Sequence, residues 1–147
     1  MDLQLTPYVS AGQFKIGALK KNINEVLGSD FEFYSYSYSS DVTDHYKKHG
    51  LQFDYDNGNI CISIQIEKPS FAFYRNKNLH EQTFLELKYS FKSIEKNAYA
   101  DDNNLLLLDI GIGLSFKNHE LEGTPEVVTI FKKNLFDNYL YQYEKIW

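Results

Sequence analysis

The sequence predicts an α+β fold in a single domain, 1–147, with an antiparallel β-sheet and two or three helices packed on it. Aromatic residues make up 16% and hydrophobic residues 43% of the 147 residues, a composition that favours strands over disorder. Several segments alternate apolar and polar side chains with the two-residue period of a strand, and two segments repeat apolar residues at helical spacing. A helix, several antiparallel strands, a second helix and further strands, in that order along the chain, are typical of α+β proteins.

The first predicted elements are a short strand and a helix. Leu3 and Leu5 alternate with polar residues before Pro7 closes the strand. The segment "LKKNINEVLG" then ends at Gly28, which suits the positive φ of a helix C-cap. The apolar residues that share one face of this helix are Leu19, Ile23, Val26 and Leu27.

The stretch "FEFYSYSYSS" (31–40) predicts a strand with Tyr34, Tyr36 and Tyr38 on one face. These rings could form a wall of the core, a platform for stacked bases or a surface that recognises a protein. Acidic neighbours would repel a phosphate backbone, which disfavours the second role. Those neighbours are Asp30, Glu32, Asp41 and Asp44.

A β-hairpin is predicted for "LQFDYDNGNICISIQIEK", with Asn57 and Gly58 as the two residues of a type I′ turn. This turn pairs Tyr55 with Ile60, Phe53 with Ile62 and Leu51 with Ile64, and it gives the hairpin an apolar and a polar face. The residues on the polar face are Gln52, Asp54, Cys61, Ser63, Gln65 and Glu67.

The second half of the chain predicts strands around one further helix. "SFAFYR" is a strand, and Thr83 and Glu86 form a capping box before a helix with apolar Phe84, Leu87, Phe91 and Ile94. "NAYADDNN" is a loop, and "LLLLDIGIGLSF" and "EVVTIFK" are strands, the first with glycines where another group packs close to the backbone. The tail 134–147 fits either a helix or a strand.

The residues with catalytic or metal-binding chemistry are scattered. His45 and His49 would share a helix face with Asp41 or Asp44, but their segment predicts an exposed loop or a single turn. The pair His80 and Glu81 and the group His119, Glu120 and Glu122 are expected on solvated connections. Asp54 would raise the pKa of the Cys61 thiol, so that thiol is expected to be unreactive. We therefore expect no catalytic residue, no metal and no cofactor.

Charge favours a basic protein as the partner. The formal net charge is −5, which disfavours nucleic acid and draws in a basic partner at low salt. Asp54 and Asp56 add two carboxylates on the predicted hairpin, and solvation is their simplest role. No secretory signal or apolar stretch of membrane-spanning length is apparent, and the single cysteine suits a reducing compartment, so we expect a cytoplasmic protein without membrane contact.

The layout of the chain resembles that of small cytosolic immunity proteins from bacterial toxin systems, including contact-dependent growth inhibition. The segments that carry the likeness are "YVSAGQFKIGALKKNINEVLG", "GLQFDYDNGNICISI", "FLELKYSF", "LLLLDIGIGLSF" and "EVVTIF". The resemblance implies a non-enzymatic protein that binds a cognate toxin, often a nuclease, and blocks it.

The functional hypothesis is therefore an immunity protein that covers the basic active-site cleft of a toxin. The residues expected to bind the partner are Tyr34, Tyr36, Tyr38, Asp41, Asp44, Asp54 and Asp56. A regulatory or structural interaction module unrelated to toxins is the alternative, and a hydrolase with a metal at His45 and His49 is the least favoured class. The oligomeric state stays open.

Overall fold

The computed structural model describes residues 1–35, 41–117 and 123–147. Its helices are α1 (Lys20–Leu27) and α2 (Phe84–Phe91), and short 3-10 helices cover Leu79–Glu81 and Asp137–Gln142. The strands are β1 (Asp2–Thr6), β2 (Ser10–Ala11), β3 (Phe14–Lys15), β4 (Glu32–Ser35), β5 (Val42–Tyr46), β6 (Leu51–Tyr55), β7 (Cys61–Ile66), β8 (Phe71–Tyr74), β9 (Lys77–Asn78), β10 (Ala98–Ala100), β11 (Asn104–Leu107), β12 (Ile112–Phe116), β13 (Pro125–Phe131) and β14 (Glu144–Lys145). The α+β class predicted from the sequence is confirmed.

The strands form two sheets. The large sheet has nine strands in the order β14-β10-β11-β12-β13-β7-β6-β5-β4, and every neighbouring pair in it is antiparallel. The small sheet has five strands in the order β3-β2-β1-β8-β9, and its β1 and β8 are parallel. That parallel pair joins the amino-terminal strand to the middle of the chain, a long-range contact that no local pattern in the sequence indicates.

The core lies between the inner face of the large sheet and the small sheet with the helices. Phe14 of the small sheet meets Phe53 of β6 edge to face at 5.3 Å between ring centroids. Leu87 and Phe91 of α2 belong to the same buried cluster as Ile64 of β7. Burial of these large apolar side chains removes them from water and drives the layers together.

The first helix is confirmed, although its predicted apolar face is only partly buried. Ile23 is buried, while Leu19 and Val26 are exposed. Helix α1 ends at Gly28, whose φ of 87° is readily adopted by glycine. A hydrogen bond of 2.5 Å from the Tyr46 hydroxyl to the Asn24 side chain attaches the helix to β5.

The hairpin is present, but its predicted turn and register are wrong. Asn59, rather than Asn57 or Gly58, has a positive φ, and the Asp56 side chain accepts the amides of Gly58 and Ile60. A bulge between Asp54 and Tyr55 then pairs Tyr55 with Cys61 and Phe53 with Ile64. Cys61 consequently lies in the core instead of on the polar face. The amide of Cys61 also donates to the Ala18 carbonyl, a tertiary contact that the hairpin sequence does not encode.

The stretch predicted as one strand, "LLLLDIGIGLSF", forms two strands. β11 and β12 are joined by a turn at 108–111, where Gly111 has a φ of 92°. A Cβ at Gly111 would lie 2.6 Å from the Tyr8 ring, which confirms that another group packs close to this glycine. The buried Glu95 carboxylate accepts the backbone amides of Asp109 and Ile110 and so holds the turn.

Three further segments differ from their prediction or complete it. Residues 98–100, predicted as loop, form β10, which pairs with both β11 and β14. Residues 42–46, predicted as an exposed loop or a turn, form β5 inside the large sheet. The tail contains both alternatives, because the 3-10 helix Asp137–Gln142 is followed by β14.

The second helix and its capping box are confirmed. The Thr83 hydroxyl accepts the amide of Glu86 at 3.2 Å, and the Glu86 carboxylate accepts the amide of Thr83 at 2.8 Å. Leu87 faces the core with 1% of its surface exposed, while Leu85 of the same helix is 73% exposed.

His80 is a buried connector between the sheets, and the prediction that it lies on a solvated connection is wrong. Its Nδ1 accepts the backbone amide of Ala72 in β8 at 3.2 Å, and its Nε2 donates to the carbonyl of Ile66 in β7 at 3.0 Å. Because one ring nitrogen accepts and the other donates, the neutral imidazole satisfies both contacts.

We expect Leu87→Ala to lower the free energy of unfolding by about 2–5 kcal/mol, because it leaves a cavity in the core. Leu85→Ala makes the same chemical change on the exposed side of α2 and should alter that free energy by less than about 0.5 kcal/mol. Urea denaturation of both variants measures the difference. Equal losses would show that α2 does not pack as described.

His80 should make stability depend on pH. Burial lowers the pKa of His80 below its ordinary value of 6.5, and the Ile66 carbonyl opposes this in part. The stability due to neutral His80 is complete above about pH 6.5, and it is lost as the pH falls from there through the lower folded-state pKa, because the unfolded chain takes up the proton first. We expect the free energy of unfolding, measured from about pH 7.5 to about pH 5, to fall less steeply in His80→Gln than in the wild type.

The matched control for this experiment is His49→Gln, which removes a histidine from the turn between β5 and β6. Comparison of the two variants separates the loss of the buried ring from the loss of any one histidine. An unchanged slope in His80→Gln would contradict the assignment of a buried neutral imidazole.

Candidate functional site

Polar side chains form rows across the outer face of β5, β6 and β7. Residues directly opposite each other in antiparallel strands share a face. Thr43 pairs with Asp54 and Asp54 with Ser63, so these three lie side by side, and Gln52 pairs with Gln65 in the neighbouring row. The polar face predicted for the hairpin therefore exists, apart from Cys61.

This outer face is the floor of a cleft of about 560 Å³. Thr129 of β13 continues the row from Gln65, and β12 and β11 extend the floor further. The polar residues that line the cleft are Asp41, Thr43, Gln52, Asp54, Ser63, Gln65, Asn104, Ser115 and Thr129. An open, solvated sheet face was expected around Asp54, and the structure instead gives a concave face.

A wall beside this floor is formed by the carboxy-terminal segment. Leu135, Phe136, Tyr139 and Tyr143 line it. Phe136 packs edge to face on Phe131 of β13, with 4.8 Å between ring centroids, and this contact fixes the segment on the sheet. Tyr139 keeps 54% of its surface exposed, so its ring is accessible to a ligand in the cleft.

Asp54 is held in place by three side-chain donors. Its Oδ1 accepts the Thr43 hydroxyl at 2.6 Å, and its Oδ2 accepts the Ser63 hydroxyl at 2.5 Å and the Gln65 amide at 3.2 Å. Neutral donors orient the carboxylate without cancelling its charge. Because a carboxylate has about four acceptor positions, one remains for a ligand.

The lining of the cleft has one sign of charge. Among its described residues are the carboxylates of Asp41 and Asp54, with no lysine, arginine or histidine. A concave surface with charges of one sign focuses its field and favours a ligand of the opposite charge. The cleft therefore suits a cation.

Of the predicted tyrosines, only Tyr34 lies in the described part of the chain. Tyr36 and Tyr38 lie outside the described residues, as does the group at His119. Tyr34 is on β4, the edge strand of the large sheet, and pairs with Thr43, so it shares the outer face with the end of the cleft. Its hydroxyl donates to the Glu32 carboxylate, and its ring is exposed.

Asp44 was expected on a partner-binding surface, and the structure places it inside the protein. The carboxylate is fully buried and forms an ion pair with Lys20 of α1. The Lys20 ammonium also lies over the rings of Phe31 and Tyr55, at 4.7 and 5.4 Å from their centroids. Asp44 therefore joins α1 to β5 and is inaccessible to a partner in this conformation.

The other expected acids divide between the cleft and the hairpin turn. Asp41 lines the cleft with Asp54. Asp56 lies at the turn, where its carboxylate accepts the amides of Gly58 and Ile60, so its contacts are those of a turn residue. The structure thus brings Asp41, Asp54 and Tyr34 to one face of the sheet and separates Asp44 and Asp56 from them.

His45, His49 and Cys61 do not line the cleft. His45 is a strand residue whose Nε2 lies 3.0 Å from a Glu67 carboxylate oxygen, while His49 lies in the turn after β5. Within residues 1–35, 41–117 and 123–147, no group of three or more His, Cys, Asp or Glu side chains is placed to hold a metal ion. Burial first, and then the charge of Asp54, raise the pKa of Cys61 to about 12, which confirms the predicted direction.

Comparison of the chain with protein-family models, with curated proteins and with solved structures finds no match. In the part of the chain that the structure describes, none of the helices combines the length and apolar character needed to cross a membrane.

Sequence reasoning missed half of the cleft. Asn104, Ser115 and Thr129 belong to segments predicted as loop or strand, without any assignment to a site. For Ser115 and Thr129, the buried apolar residues on either side were the available signal, since alternation places polar side chains on one face of a strand, whereas Asn104 precedes a run of leucines that does not alternate. The pairing of β13 with β7, which joins them to Asp54, is not visible in the local sequence.

A double-mutant cycle should show that Asp44 acts within the fold. Lys20→Met leaves a buried carboxylate without its cation, and we expect it to lower the free energy of unfolding by about 3 kcal/mol. Adding Asp44→Asn removes that buried charge, so the double variant should be more stable than Lys20→Met alone. Urea denaturation of the wild type, both single variants and the double variant completes the cycle.

Lys48→Met is the control, because Lys48 pairs with Asp30 on the surface, where both side chains are largely exposed. This variant should unfold at nearly the same urea concentration as the wild type. A double variant no more stable than Lys20→Met would show that the two charges are not coupled.

Proposed function

We propose that this chain is a non-enzymatic immunity protein that neutralises a cognate toxin, with the acidic cleft as its contact surface. The observation that carries the proposal is the composition of the cleft lining. It combines two carboxylates with neutral polar groups and tyrosines, and it has no cation among its described residues. A basic segment of a protein would complement this surface in charge.

Charge on the whole molecule supports the same kind of partner. The formal net charge of −5 would speed the approach of a basic toxin at low ionic strength. Nucleases carry basic clefts because they bind phosphate backbones, so an acidic protein that covers such a cleft would block the substrate. The resemblance of the chain layout to small cytosolic immunity proteins supports a cytoplasmic binding role.

The surroundings of Asp54 fit a binding role. Thr43, Ser63 and Gln65 donate to its carboxylate. These neutral donors hold the carboxylate in one orientation without cancelling its charge. An anchored carboxylate of this kind is suited to pairing with a cation of the partner.

The test begins with the genes that flank the gene of this chain: if one encodes a large secreted protein with a basic carboxy-terminal domain, that domain is the candidate toxin. We expect co-expression of the two to restore growth, and the purified proteins to form a complex that weakens as salt is added. Asp54→Asn should weaken the complex by roughly 2 kcal/mol or more, measured by calorimetry.

Asp2→Asn is the matched control, because it removes the same charge from an exposed position on β1 of the small sheet, which contributes no residue to the cleft lining. It should leave the affinity close to that of the wild type. Equal losses in both variants would indicate general electrostatic attraction, and full affinity in Asp54→Asn would remove the cleft from the contact surface. Failure of the candidate toxin to bind or to inhibit growth would contradict the proposal.

A further inference from the structure

We infer that the cleft is a receptor for an arginine side chain, with Asp54 as the paired carboxylate and Tyr139 of the carboxy-terminal segment as the stacking surface. The inference rests on the proposed function in that it names the group of the partner that enters the cleft. It also makes a prediction about the chain alone, which can be tested without any toxin.

The floor of the cleft presents acceptors for a planar group with several N–H donors. Asp54 has one acceptor position left, on Oδ1, after its three internal hydrogen bonds. Gln52 lies two residues before Asp54 on the same face of β6 and adds the side-chain carbonyl oxygen nearest to it in sequence among the residues of the lining. A guanidinium has five N–H donors in one plane, so it can bond to several of these oxygens at once.

The wall opposite the floor is aromatic. Tyr139 and Tyr143 both line the cleft, and their segment is fixed by the packing of Phe136 on Phe131. Guanidinium groups stack on aromatic faces and are less strongly hydrated than ammonium groups. A cleft with acceptors on one side and rings on the other therefore selects arginine over lysine.

Other occupants fit the cleft less well. A phosphate or a nucleic-acid strand would meet Asp41 and Asp54 without a compensating cation among the described lining residues. A neutral polar molecule could bond to the floor, but it would gain nothing from the charge of Asp54. The sign of the charge and the planar shape together point to guanidinium.

The experiment titrates the full-length, ¹⁵N-labelled chain with Nα-acetyl-arginine amide and follows its amide resonances. The matched probes are Nα-acetyl-lysine amide, with the same charge, and Nα-acetyl-citrulline amide, with nearly the same shape and no charge. We expect saturable shifts at Asp54, Ser63 and Thr129 with the arginine probe, and clearly weaker binding of the other two.

Asp54→Asn should lower the affinity for the arginine probe by about tenfold, the factor expected when a hydrogen bond to a charged group is lost. Asp2→Asn should leave the affinity for this probe unchanged. Amide spectra of both variants verify that they are folded. Equal binding of the citrulline probe, tighter binding of the lysine probe, or binding of oligothymidylate at these residues would each overturn the inference.

The inference and the proposed function can fail separately. If a toxin binds and depends on Asp54 while the arginine probe produces no shifts in the cleft, the arginine receptor is wrong and the immunity function stands. If the arginine probe binds as expected while no toxin is neutralised, the receptor stands and the proposed function is wrong.

Discussion

The antiparallel pairing of β13 with β7 is the contact on which the rest of the structure depends. It joins two sequence-local sets of strands, β4 to β7 and β10 to β13, into one sheet through the pairs from Val128 with Ile66 to Phe131 with Ser63. On the inner face, this pairing makes a single surface for the core. On the outer face, it sets Thr129 beside Gln65 and so continues the polar floor of the cleft across both halves.

The two faces of this sheet use polar groups in different ways. On the inner side, charges and rings are buried with specific partners: Asp44 with Lys20, and His80 with two backbone groups from different sheets. These contacts are costly to break because a buried polar group that loses its partner cannot recover water. On the outer side, neutral donors orient Asp54 within the lining of the cleft, an arrangement suited to a ligand rather than to the fold.

Local sequence patterns predicted the elements that local physics controls. Helix α2 begins at the expected Thr83 because its capping box satisfies amides within the same four residues, and α1 ends at Gly28 because glycine tolerates a positive φ. The hairpin register was wrong, because Asp56 captures two amides of the turn and Cys61 bonds to Ala18. The strand predicted through Gly111 is broken there because Glu95 and Tyr8, both distant in the sequence, hold a turn.

The sequence by itself determined the α+β class, the two α-helices, about half of the strands and the polar face that includes Asp54, since alternation and capping act between near neighbours. Only the tertiary structure decided that Asp44 is buried, that Asp54 lies in a cleft rather than on an open face, and that Tyr139 lines the same cleft. These outcomes depend on which strands meet across the sheet and where the chain end packs. That choice is made by the summed burial of side chains far apart in sequence, which no short segment encodes.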